Sequence, residues 1–100
     1  MAEIVRKEKE IASRYSGGMR ARIIDEVHGL IQFDDVSAIR IHSRNYVLLI
    51  MRDYSPTLGH VEGNVVILTP EEEITLDKVN GCFKLQDNEF VLIVEEETEG

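Results

Sequence analysis

The stretch Lys78 to Glu95, "KVNGCFKLQDNEFVLIVE", decides the fold class. Phe83 and Leu85 alternate with Cys82, Lys84 and Gln86, while Phe90, Leu92 and Val94 alternate with Val91 and Ile93. A period of two puts one apolar face on each of two strands. Asp87 and Asn88, which lie between them, tolerate unusual turn dihedrals, so the spacing predicts a tight hairpin.

Upstream, the same texture recurs. "VSAIRIHS" (36–43) places Ile39 and Ile41 on one face and Arg40 and His42 on the other. "MRARIIDEVHG" (19–29) reads as a first strand ending near Gly29, and "LIQFDD" (30–35) as a short second one. "YVLLIM" (46–51) reads as a more buried strand, "HVEGNVVILT" (60–69) as the next, and "EITL" (73–76) as a short strand separate from "KVNGCFKLQ". Seven or eight short β segments, punctuated by glycine and followed by no convincing helix, predict an all-β, two-sheet antiparallel sandwich. The expected core is Ile23, Ile39, Ile41, Leu48, Ile50, Val65, Ile67, Phe83, Leu85, Phe90, Leu92 and Val94. Val47 to Met51 offers apolar groups to both faces. Either both sides are covered, or one shows an apolar strip that marks a binding surface.

The 100 residues suit one domain. Residues 1–18 form a polar extension, in which Ile4, Ile11 and Tyr15 trace a faint helical face; a short helix or a flexible segment is expected, dispensable for the β core. The β domain is assigned to 19–97 and an acidic tail to 98–100. A net charge of −8 leaves no basic stripe for phosphates and disfavours anionic membranes, so nucleic acid is not an expected partner. No apolar run approaches a membrane span, so no membrane insertion is expected. The only cysteine, Cys82, excludes an intrachain disulfide and suits the cytoplasm.

"RDYSPTLGH" (52–60) contains Asp, Tyr, Ser and His, and reads as an active-site loop, a turn or a contact surface. Ser55 has no Gly-x-Ser-x-Gly context. His28, His42 and His60 show no short metal-ligand spacing. Asp34-Asp35 and Glu71-Glu72-Glu73 are adjacent acids, where general acid–base pairs need opposed environments around a pocket. Cys82, inside a predicted strand, is expected to be at least half-buried. No phosphate loop or dinucleotide fingerprint occurs. No catalytic residue, cofactor or metal is therefore expected. Pro56 and Gly59 mark a chain reversal.

Taken in order, the β pattern resembles the N-terminal domain of the epsilon subunit of F-type ATP synthase. Val36-Ser37-Ala38-Ile39-Arg40-Ile41 matches that family's Val-x-x-Val-x-Leu strand, and Leu48 to Thr57 falls on its Phe-Gly-Ile-Leu-Pro-x-His-Ala-Pro-Leu segment. Val61, Gly63, Val65 and Ile67 fit the next strand, and Gly81 to Ile93 its Gly-Phe-x-x-Val-x-x-Asn-x-Val-x-Val-Leu hairpin. The likeness covers roughly residues 20–97 and rests on order and spacing. Tyr54 replaces the family's His, Leu49 its glycine and Arg52 its first loop proline. The helical hairpin with which ordinary members continue has no counterpart in the sequence, so regulation of ATP hydrolysis is not implied.

The resemblance implies a two-sheet sandwich that binds the gamma stalk, sits on the membrane ring and does no covalent chemistry. It places the 52–59 loop at the ring end, with Met51, Arg52, Asp53, Tyr54, Pro56 and Leu58 as interface candidates. Tyr54 is the best anchor, because it offers area at low entropy cost. The alternatives are a stand-alone small β-sandwich protein, acting as a homodimer or an accessory subunit, and a small ligand-binding protein or enzyme with a pocket the sequence does not reveal.

Overall fold

The computed structural model describes residues 3–8 and 18–95. Every regular element is a β-strand: β1 Glu3–Glu8, β2 Met19–Asp25, β3 Gly29–Val36, β4 Ala38–Ser43, β5 Val47–Met51, β6 Thr57–Leu68, β7 Glu72–Gln86 and β8 Glu89–Val94. They join in the order β3-β2-β8-β7-β6-β4-β5, and β1 pairs with β7. Two long strands hold the sheet together. The first half of β7 lies between β1 and the second half of β6, while its second half lies between β8 and the first half of β6. One continuous sheet thus folds into a sandwich-like pair of layers, β1-β7-β6-β4-β5 and β3-β2-β8-β7-β6.

This corrects the expected pair of antiparallel sheets in two respects. The sheet is continuous through β6 and β7, and β2 runs parallel to β8, with Ala21 opposite Phe90 and Ile23 opposite Leu92. The chain permits a parallel pair because almost the whole domain lies between its members, far more than a crossover needs. Residues 3–8, expected in a helical or flexible extension, form an antiparallel strand in register with 72–77. Ile11 and Tyr15 lie outside the described residues, as does the acidic tail at 98–100.

Inward side chains of both layers share one core. Ile39, Ile41 and Ile50 come from one layer, and Ile23, Phe83, Phe90 and Leu92 from the other. Phe83 stacks on Phe90 with ring centroids 5.5 Å apart. The Arg6 guanidinium lies 5.2 Å above the Phe33 ring, so β1 of one layer reaches β3 of the other. Of the expected core residues, Leu48 is only partly buried, and the rest are buried. Met19, Ala21, Phe33, Val36, Val61, Ile74, Leu76 and Val79 join them.

Two bulges shape the sheet. In β7, three residue steps from Leu76 to Val79 face two on β6, from Val65 to Gly63, and Lys78 takes the left-handed conformation (φ 56°). In β3, Val36 to Phe33 likewise faces Met19 to Ala21, with Asp35 at φ 55°. An extra residue bends its strand and raises the local twist. The bulge in β7 falls where its neighbour changes from β1 to β8, so the bend sits where the layers diverge. Gly63 lies opposite it, and a Cβ there would collide with the His42 carbonyl oxygen, so only glycine permits this approach of β4 to β6. The Asp87–Asn88 hairpin forms as expected, with both residues at positive φ (52° and 62°), the signature of a type I′ turn.

Candidate functional site

The loop after β5 is a chain reversal. Asp53 takes a left-handed conformation (φ 65°), and Tyr54 N–H donates to the Met51 carbonyl at 3.2 Å. The loop is tied to a second turn. Asp53 N–H donates to Asn88 Oδ1 (2.7 Å), and Asn88 Nδ2 donates back to Asp53 Oδ1 (3.1 Å). Asn88 O also accepts from Arg20 N–H. Three segments therefore meet at one end of the molecule: the 52–56 loop, the β7–β8 turn and the start of β2.

All six interface candidates, Met51, Arg52, Asp53, Tyr54, Pro56 and Leu58, are exposed. Met51 and Tyr54 are joined by the reversal, and the Arg52 side chain lies against Gly18. Leu58 is separate. It projects from the outer face of the β8-containing layer, opposite Lys84.

The larger feature is β5 itself. The sequence reading makes it a buried strand; it is a terminal strand of the sheet, paired only with β4 among the described residues. Ile50 is buried and Leu48 half-buried, but Val47, Leu49 and Met51 are 64%, 53% and 56% exposed. They form an outward apolar strip, the second of the two outcomes the sequence left open. Arg40 and His42 face outward beside it on β4, opposite Leu49 and Val47. Arg44 and Arg52 flank the strand, loosely paired with Glu62 (3.7 Å) and Asp53 (3.8 Å). Arg40 is likewise paired with Glu73 (4.0 Å), so each of these arginines has a carboxylate beside it. Tyr46 packs on the core and donates through its hydroxyl to the His60 carbonyl at 2.6 Å.

The chemistry-bearing side chains are dispersed. His28 sits at the β2–β3 turn, where its Nδ1 lies 2.7 Å from the buried Asp25 carboxylate. His42 and His60 project outward from β4 and β6. Asp34 accepts from Arg20 (3.2 Å) and from Gln32 (3.2 Å). Thr69 and Glu72 bond each other across the β6–β7 turn. Cys82 is exposed, contrary to expectation, because it falls on the outward phase of β7, opposite His60 and Ile93. Among the described residues no group of three His, Cys, Asp or Glu side chains is placed to hold a metal ion. A surface groove of about 560 Å³ lies between Arg20, Asp34, Asp87 and Glu89, and Arg20 already bridges Asp34 and Glu89 across it. No protein-family model matches the chain, and a search of curated proteins finds no match.

Proposed function

We propose that the chain is a small non-enzymatic β-sandwich protein that works by binding protein, either a second copy or a larger assembly to which it is accessory. The observation that carries this is the outward row Val47, Leu49 and Met51 on a terminal strand. Apolar groups lined up on a strand that has a neighbour on one side only, among the described residues, form a ready surface for another chain. Arg52 and Tyr54 extend it as a polar rim with one aromatic anchor. A cytoplasmic location belongs to the proposal, since one unpaired cysteine is ordinary there. The narrower reading, a rotor-stalk subunit like epsilon, has its support in the sequence resemblance alone.

Capture of the tagged protein from its native host, followed by mass spectrometry, tests the proposal against two variants. Leu49→Lys and Tyr54→Ala should both fold and should both lose the protein retained by the wild type. Retention unchanged in both would overturn the proposed surface. Loss of folding in Tyr54→Ala would make Tyr54 a structural residue instead. Recovery of gamma and ring subunits would favour the rotor reading.

A further inference from the structure

Three strands end the sheet, β1, β3 and β5, and they are not held equally. β3 sends Phe33 and Val36 into the buried core, and β5 sends Ile50. Among the described residues β1 sends none. Ile4 is only partly buried against the core, and Val5 is 49% exposed. Arg6 lies over the Phe33 ring and pairs with Glu72, but its side chain is half exposed, and exposed ion pairs add little to stability. Six main-chain pairs with β7 are therefore most of what keeps β1 in place.

The main-chain phase shows what β1 covers. Thr69 N–H donates to the Glu72 carbonyl (2.9 Å), which closes the β6–β7 turn. Ile74 and Leu76 thus turn their main-chain groups to β6, and Glu73 and Thr75 turn theirs to β1. Ile4 lies opposite the buried Leu76, and Arg6 opposite the buried Ile74. The edge of β7 is a seat for one kind of strand, with an apolar residue at the place of Ile4 and a guanidinium two residues on.

We infer that β1 is an exchangeable strand: it leaves β7 while the rest of the domain stays folded, and β1 of a second copy takes its place. The contents of the seat select the second copy. Reciprocal exchange remakes every pair from Glu3–Asp77 to Glu8–Glu72, the Ile4 contact and the Arg6–Glu72 bridge. A departing β1 removes no side chain of the buried core, so the opening is local. Residues 9–17 tether β1 to its own domain. A tethered strand competes at an effective concentration of roughly 1 mM, so exchange between copies is appreciable only near that concentration. This surface is separate from the β5 strip, and failure of either leaves the other standing.

Hydrogen exchange of the full chain is the first test. Glu73 and Thr75 amides should exchange about tenfold or more faster than those of Ile74 and Leu76, which β6 holds. Equal rates would mean that β1 leaves only when the whole domain unfolds, and would overturn the inference. The second test traps the exchange. Val5 and Thr75 face each other in a hydrogen-bonded pair, whose Cα separation of about 5.5 Å suits a disulfide. In a Cys82→Ser background at about 1 mM, a Val5→Cys chain mixed with a Thr75→Cys chain should give a mixed disulfide under mild oxidation. Val5→Cys mixed with Ser55→Cys, exposed in the 52–56 loop, should give far less. Carried on one chain, Val5→Cys and Thr75→Cys should close within it and slow Glu73 exchange to the rate of Ile74. Equal yields from the two mixtures would overturn the exchange. So would the absence of a mixed disulfide while the one-chain pair closes.

Discussion

Asp25 shows how much one buried side chain organises. It is 3% exposed, and it accepts from Val27 N–H (3.0 Å) and from the His28 ring, so it builds the β2–β3 turn from within. Burial alone would raise its pKa, but the bonds from His28 and Val27 outweigh burial and hold the carboxyl below its ordinary 3.8. A carboxylate whose folded pKa is depressed stabilises the fold above its unfolded value and loses that contribution as pH falls through the folded one. Urea melts of the wild type should therefore weaken below about pH 4. Asp25→Asn should be less stable at neutral pH by about 1–3 kcal/mol, with a shallower acid limb; equal acid limbs would mean that other carboxylates carry the effect. The sequence offers "DEVHG" only as a strand end, because an Asp buried by its own turn looks no different from a wet one. Cys82 is the converse case: its exposure follows from alternation with Phe83, which the sequence displays.

At the level of elements, alternation is a faithful guide until a bulge shifts its phase. Even-numbered residues of β7 point inward through Ile74 and Leu76, and odd-numbered ones from Val79 through Leu85. The sequence shows this break at Asp77-Lys78, but a phase break reads as a strand boundary, so one strand looks like two. β3 repeats the pattern between Phe33 and Val36. The extra residue is thus a structural requirement. Lys78→Gly keeps the left-handed conformation available and should lie within about 1 kcal/mol of wild type. Deletion of Lys78 would set Leu76 and Val79 two steps apart and so keep both on the inward face, but it would remove the bend at which the layers diverge and should lower Tm in a thermal melt. An unchanged Tm in the deletion variant would show that the bulge is dispensable. β5 is ambiguous in the sequence for a related reason. Five consecutive apolar residues fit burial on both sides or one outward strip, and the choice turns on neighbour number, a tertiary property; among the described residues the strand ends the sheet.

For the whole molecule, the open question in the sequence is how residues 1–8 relate to the rest. Glu3–Glu8 pairs along the first half of β7, and Ile4 packs on the core. Removal of these residues leaves the N-terminal half of β7 as a bare edge. We expect the truncated chain to remain β-folded but to lose on the order of 1–3 kcal/mol, with about 4–8 °C in Tm for each kcal/mol. An unchanged Tm would show that β1 adds nothing to the domain. By itself the sequence determined the all-β class, nearly all of the expected core, the Asp87–Asn88 turn and the reversal at 52–56. Each of these follows from local chemistry: side-chain period, turn dihedrals, and the aversion of apolar groups to water. Only the tertiary structure decided the parallel β2–β8 pair, the joining of two layers through β6 and β7, the bond between Asp53 and Asn88, and the exposure of Val47, Leu49 and Met51. Those depend on which distant segment becomes a strand's neighbour, and the periodicity of one strand carries no record of that choice.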